Sequence, residues 1–211
     1  MSERPVRSRA REKTRIQQAN EAKILAAALE VFSREGFRAA TLDQIAAEAG
    51  MSKPNLLYYF RSKEEVYRAV LDRTLDTWLE PLRGIRAEGD PIQEIRAYIQ
   101  RKLEMSRDFP RESRLYANEI LRGGTVIQEE MTGLLRDLVE EKAGLIRGWI
   151  REGRLAPVDP RHLIFAIWAT TQHYADFDAQ IRAVLGDDGE GRFRDAARFL
   201  DTLFFEGLRP R

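Results

Sequence analysis

Residues 41 to 65 read Thr41-Leu-Asp-Gln-Ile-Ala-Ala-Glu-Ala-Gly50-Met-Ser52-Lys-Pro-Asn-Leu-Leu-Tyr58-Tyr59-Phe60-Arg-Ser62-Lys-Glu-Glu65. The pattern predicts two short helices around a glycine turn, followed at once by the start of a third. Thr41 offers its hydroxyl to the free amides of a helix start, and Gln44, three residues on, completes a capping box. Gly50 supplies the positive φ that ends this helix sharply. Ser52 caps the next helix, whose first turn tolerates Pro54 because amides there lack intrahelical partners. Ser62 and Glu65 form another capping box directly after Phe60, which pins the second helix onto a small core. Two short helices joined by a turn of about three residues make a helix-turn-helix, and that motif points to double-stranded DNA as partner.

The charge distribution agrees with a DNA partner at this end of the chain. The whole sequence of 211 residues carries a net charge of only +1. Residues 1 to 63, however, hold 12 Lys or Arg against 7 Asp or Glu, a net of +5, whereas residues 64 to 211 hold 23 against 27, a net of −4. Attraction to phosphate therefore resides in the first part. Arg4, Arg7, Arg9, Arg11, Lys13 and Arg15 precede any apolar periodicity and read as a basic arm, disordered without DNA. Such an arm enters a minor groove or acts as a solvated, nonspecific tail.

Further along, apolar spacing and caps predict helices over 17–35, 41–48, 52–58, 63–87, 91–108, 112–122, 126–152, 160–184 and 190–208. No strand alternation interrupts them. The expected fold is all-α: an amino-terminal three-helix helix-turn-helix domain over 17–63, preceded by the arm over 1–16, and a carboxy-terminal helical domain over 64–211 for ligand binding and dimerisation. The first helix places Ile24, Ala28, Val31 and Phe32 on one face and stops at Gly36, so that Phe37 folds back onto it. Asp159 and Pro160 open another helix as N-cap and first helical residue. On that helix Ile164, Trp168, Thr171, Gln172 and Ala175 share one face, and His162, Ala166, Ala169, His173 and Phe177 share the opposite one. The last helix repeats Phe193, Ala196, Ala197, Leu200, Leu203, Phe204 and Leu208, a stripe broad enough to pair with a symmetry mate in a homodimer.

Composition excludes several classes. Cysteine is absent, no run of about eighteen apolar residues offers a membrane span, and no charged-then-apolar leader opens the chain, so a cytoplasmic location is expected. Glu104, Asp108, Glu119, His162 and His173 are acid-base groups, but no nucleophile, phosphate-binding loop or metal-ligand spacing joins them. Neither an enzyme nor a cofactor is expected.

The run from Thr41 to Lys63, with Ile45-Ala46, Ala49-Gly50, Ser52, Tyr59-Phe60 and Ser62-Lys63-Glu64, resembles the TetR family of bacterial transcriptional regulators. That resemblance implies an all-helical homodimer with an amino-terminal DNA-binding module and a larger ligand-binding module. The remainder resembles the RutR-type pyrimidine-utilisation repressors through Trp78-Leu79, Lys102-Leu-Glu104, Ser106-Arg-Asp108, Ser113-Arg-Leu115 and residues Leu163 to Phe177. This second resemblance implies a repressor of pyrimidine degradation whose affinity for its operator falls when uracil or thymine binds. The chain departs from the family pattern at Leu57, where tyrosine is usual.

These readings place the functional residues. The first residues of a recognition helix lie nearest the bases, so Lys53, Pro54 and Asn55 are positioned to read edges, with the Asn carboxamide suited to adenine. Tyr58 and Tyr59 are expected at the DNA backbone or in the core. Thr41, Ser52 and Lys63 stand at helix starts, where hydroxyl, amide and ammonium groups grip phosphate. Capping alone also accounts for Thr41 and Ser52. In the second domain Trp168, Thr171 and Gln172 are candidates for a pocket wall, the indole stacking on a flat ring and the amide matching carbonyl and N–H groups of a pyrimidine. Asn118 or Glu119 would complete it, and Trp78 would line it from the connecting helix. Ordinary core packing is the other reading of both tryptophans. A ligand-blind DNA binder whose second domain is a dry bundle is the competing possibility, and the cost of burying an unpaired Gln172 speaks against it.

Overall fold

The computed structural model describes residues 15–186, 189 and 191–208. Of the basic arm, only Arg15 falls among them, as the first residue of helix α1; Arg4, Arg7, Arg9, Arg11 and Lys13 lie outside the described residues. The described residues form helices and turns with no strand. The chain separates into two compact units between Val66 and Tyr67.

The first unit is built from α1 (Arg15–Ala39), α2 (Leu42–Glu48), α3 (Lys53–Tyr59) and the start of α4 (Lys63–Arg83). Ile24, Ala28, Val31 and Phe32 of α1 are buried with Ile45 and Ala46 of α2, Leu56 of α3 and Val66 of α4. Helix α1 runs past Gly36, which kinks it at φ 75° and ψ 162°. Phe37 beyond the kink returns to within 6.1 Å of Phe32, ring to ring. The first helix stops at Gly36 as expected, and a separate helical turn follows beyond the kink.

The second unit surrounds α5 (Pro91–Asp108), whose face of Ile95, Tyr98, Ile99 and Leu103 enters the main apolar cluster. Helix α9 (Pro160–Asp176) packs on α5, α6 (Pro110–Leu121) and α8 (Arg136–Arg151), and α11 (Gly191–Leu208) packs on α5. Two donors from α8 fasten the loop between α4 and α5: Lys142 Nζ donates to Ile85 O at 3.2 Å and Trp149 Nε1 to Ala87 O at 3.0 Å. No helix among the described residues is long and apolar enough to cross a membrane.

Three predicted helices differ in extent, each for a local reason. The helix expected over 63–87 ends at Arg83, after Pro81 and before Gly84. The helix expected over 126–152 begins instead as a 3-10 turn, Thr125–Ile127, and a short α7 (Gln128–Glu130), then widens into a π turn at Met131–Leu135 before α8. The helix expected over 160–184 breaks at Phe177, where φ −114° and ψ 29° are non-helical, and resumes as α10 (Asp178–Leu185). The first residue of α10 is fixed from both sides, since Asp178 accepts from Arg182 at 2.9 Å and from the buried Arg192 at 2.7 Å.

Candidate functional site

Helix α3 is set by its caps. Thr41 Oγ1 accepts from Gln44 N at 3.2 Å while Gln44 Oε1 accepts from Thr41 N at 2.8 Å, so the capping box that starts α2 is formed. Gly50 then takes φ 60°, and Ser52 Oγ accepts from Asn55 N at 3.4 Å to start α3. Leu56 turns inward and is fully buried, which leaves Lys53, Pro54, Asn55, Leu57 and Tyr58 exposed. The Asn55 carboxamide makes no hydrogen bond to a described residue. Lys53 Nζ pairs with Asp43 at 2.8 Å, an exposed contact of small net stability that a phosphate or base can displace.

Two further candidates on α3 tie it to α1. Tyr59 OH accepts from Asn20 Nδ2 at 2.8 Å, and Tyr58 OH accepts from Gln17 Nε2 at 3.4 Å. The two rings meet edge to face at 5.2 Å. Tyr58 remains 71% exposed, so its ring is available to a duplex, whereas Tyr59 is half-buried and orients the helix. Lys63 requires a correction. Its ammonium does not face outward to phosphate: it donates to Phe37 O and Ala40 O, both at 2.8 Å, and lies 4.7 Å from the Phe37 ring centroid. The carbonyls at the end of α1 are the partners that draw it inward.

Asn55 carries the first test. Replacing it by Ala should weaken binding to the operator by about 1 to 3 kcal/mol and leave random DNA nearly unaffected, as competition measurements at fixed salt would read. An equal loss on both duplexes would remove Asn55 from base readout.

In the second unit a cavity of about 610 Å³ opens between α4, α5, α6, α9 and the π turn. Trp78, Asn118, Trp168 and Gln172 stand on its wall. Glu119 and Thr171, expected with them, do not, because neighbouring helical positions point about 100° apart. Thr171 is fully buried and donates to Ile167 O at 2.7 Å within α9. Glu119 is buried on another side of α6, accepting from Tyr67 OH at 3.3 Å and from Val126 N at 3.2 Å. Burial beside that carboxylate pushes the Tyr67 phenol up to about 12.

Three charged residues that the sequence reading had not singled out as site groups complete the wall: Lys102, Arg114 and Asp176. Lys102 is 1% exposed, its ammonium 5.0 Å from the Trp78 ring centroid. Burial pulls it down from the usual lysine range to about 7, with the charge of Asp176 opposing that shift. Burial in turn raises the Asp176 carboxyl, opposed by the Ser113 hydroxyl, which donates to it at 2.6 Å. Both residues had a sequence signal: Lys102 falls four residues after Tyr98 and seven after Ile95 on the apolar face of α5, and Asp176 falls four after Gln172.

The two tryptophans present themselves differently. Trp168 Nε1 donates to Tyr98 OH at 2.6 Å, so only its ring is offered to the cavity. Trp78 Nε1 is buried and has no hydrogen-bond partner among the described residues. The cavity therefore combines flat apolar walls with a few polar groups whose hydrogen bonds are incomplete, the usual composition of a small-molecule site.

A helix-turn-helix unit with an exposed recognition helix, followed by a helical unit enclosing a cavity, defines a ligand-responsive DNA-binding regulator. Residues 24–70 match the bacterial regulatory proteins of the tetR family, residues 71–211 match the C-terminal region of YcdC-like proteins, and the chain belongs to the TetR family. It is 49% identical to the HTH-type transcriptional regulator RutR of Escherichia coli strain K12 over 201 residues, covering 94% of this chain and 95% of that one. Among solved structures, a TetR-like transcriptional regulator from Rhodococcus sp. RHA1 has a TM-score of 0.65 at 24% identity, over 89% of this chain and 94% of the other. AibR in complex with isovaleryl coenzyme A and operator DNA has a TM-score of 0.65 at 18% identity, over 89% and 99%. At those identities the two structures establish the fold alone. The chain is a RutR-like transcriptional regulator and not an enzyme.

Proposed function

We propose that the chain is a repressor that binds a near-palindromic operator as a homodimer and is released by uracil or thymine, thereby controlling pyrimidine utilisation. Residues 17–63 bind DNA in this reading, and residues 64–211 bind the ligand and dimerise. The observation that carries it is the cavity wall. Trp168 and Trp78 supply ring faces for a planar heterocycle, while Lys102, Gln172 and Asp176 supply donors and acceptors for carbonyl and N–H groups. The likeness to RutR-type repressors supports the same ligand class. A different and larger effector is the second reading, favoured by a volume of about 610 Å³, which exceeds the needs of one pyrimidine ring.

Dimerisation is supported by Phe165 on α9 and by Phe199 and Leu203 on α11, all at least 47% exposed. Flanking Phe165, the small exposed Ala166 and Ala169 allow a close helix crossing. Two recognition helices then meet the groove about one turn of DNA apart. Helix α4 carries Leu75, Trp78 and Leu79 on the cavity wall and begins at Lys63, so a ligand that shifts it acts on a continuous rod. The ligand changes DNA affinity only as far as it discriminates between the two arrangements.

Fluorescence anisotropy of a labelled operator at fixed salt tests the reading, with uracil and thymine titrated against cytosine and uridine. Release by uracil or thymine alone is expected. Specific binding that none of them disturbs would keep the DNA-binding function and remove the pyrimidine.

A further inference from the structure

One side chain ties the helix-turn-helix shut at its base. The chain enters the motif through Ala40, directly before the Thr41 cap of α2, and leaves α3 through Phe60 to reach Lys63. Lys63 Nζ donates to Ala40 O at 2.8 Å, to Phe37 O at 2.8 Å and to Arg38 O at 3.3 Å. An ammonium has three N–H donors, and all three are engaged by carbonyls of the protein, with none left for a phosphate. Gly36, at φ 75° and ψ 162°, breaks α1 and starts the separate turn whose carbonyls converge on the lysine. Ala40 N closes that turn by donating to Gly36 O at 3.1 Å. Carbonyls at a helix end carry partial negative charge that favours a cation, and the Phe37 ring, 4.7 Å from the ammonium, adds to the attraction. The chain is buried on both sides of the tie, Ala40 at 1% and Phe60 at 8% exposed.

We propose that Lys63 is a positioning residue for sequence readout: it holds the two ends of the helix-turn-helix together and sharpens discrimination between DNA sequences without touching DNA. The inference rests on base readout by the start of α3. Such readout needs Lys53, Pro54 and Asn55 held within about 0.5 Å of the productive geometry. Ser52 fixes the first turn of α3, and Leu56 and Tyr59 fix its inner side. Without Lys63 the chain before Thr41 and the chain after Phe60 are free to part, and α3 turns with them. Attraction to phosphate persists in that case, because it depends on exposed charge near the backbone and not on register. The Lys63 charge contributes little to it, being matched by three carbonyls inside the unit.

Binding by the full-length protein to two duplexes tests this, one selected from random sequences by the unmodified protein and one unselected. Lys63→Met should bind the selected duplex at least about tenfold more weakly, and the unselected one within about twofold of the unmodified protein. On the unselected duplex, log affinity against log salt should keep its slope. A lost phosphate contact behaves otherwise, weakening both duplexes alike and flattening that slope by about 0.9 per protomer. That pattern, or full affinity of Lys63→Met for the selected duplex, overturns the proposal. Lys63→Gln removes the same charge but keeps two donors for the carbonyls, so on the selected duplex it should fall between the methionine variant and the unmodified protein. Should the methionine variant not fold, the glutamine variant decides by the same two readings. Asn55→Ala, measured alongside, separates the tie from the readout it serves. Lost discrimination in Lys63→Met with none lost in Asn55→Ala removes Asn55 from base contact and leaves the tie standing, whereas failure of the unmodified protein to prefer any duplex overturns both.

Discussion

Lys102→Met should make the second unit more stable at neutral pH, an unusual outcome for a substitution at a site 1% exposed. The lysine is 10.5 when unfolded and about 7 when folded. Between those values the unfolded chain binds more protons, so stability rises with pH across that window, and the penalty is largest at and below about pH 7. Linkage sets an upper limit of about 5 kcal/mol, and relaxation around the charge together with its contact to the Trp78 ring reduces the expected gain to about 2 to 3 kcal/mol. Methionine matches the length of the aliphatic stem, so no void accompanies the loss of charge. The gap between the two proteins should close as pH climbs toward about 10. Urea unfolding followed by tryptophan fluorescence reads this cleanly, because all three tryptophans, Trp78, Trp149 and Trp168, belong to the second unit. A less stable methionine variant would mean that Asp176 and the indole ring outweigh desolvation.

Leu56→Ala should have the opposite sign and a similar size in the first unit. Leu56 is fully buried, and it is the buried residue of α3, which packs on α2. A leucine truncated in a core costs about 3 to 5 kcal/mol when the surroundings cannot close over the void. The unit has few other large apolar groups, so a loss of that size should open α3 and abolish operator binding. The adjacent Leu57, 38% exposed, is the control, and Leu57→Ala should change stability by about 0.5 kcal/mol or less. Hydrogen exchange of the α3 amides distinguishes the pair. Equal protection in both variants would mean that Leu56 does not hold the recognition helix.

The first unit was legible in the sequence because its boundaries are set by local chemistry. Thr41 with Gln44, Gly50 and Ser52 each act within a few residues, and each occupies the conformation its side chain favours. Ser62 Oγ likewise accepts from Glu65 N at 3.1 Å, although the Glu65 carboxylate reaches past it to Arg61 N. Lys63 was misread because its partners are carbonyls 23 to 26 residues earlier, which no local pattern reveals. In the second unit the helix carrying Trp168 and Gln172 was legible by face, yet Thr171, one position away, turned from the cavity into the core. Glu119 was drawn away by Tyr67 and Val126, partners that chain folding alone brings near. Lys102 and Asp176 carried a signal that a reading centred on aromatic and amide groups passed over: charge recurring at apolar helical spacing.

The widened turn at Met131–Leu135 has a consequence for how the cavity can change over evolutionary time. A π turn holds one residue more than the α turns on either side of it. Loss of a single residue there, with Gly133 the least encumbered, would close the widened turn into a regular α turn and leave the segments on either side in phase. Met131 and Leu135, which now share the wall four positions apart, would stand three apart and keep a common face. A deletion of three nucleotides in the coding sequence is thus enough to tighten one side of the chamber, without touching Lys102, Trp78 or Asp176.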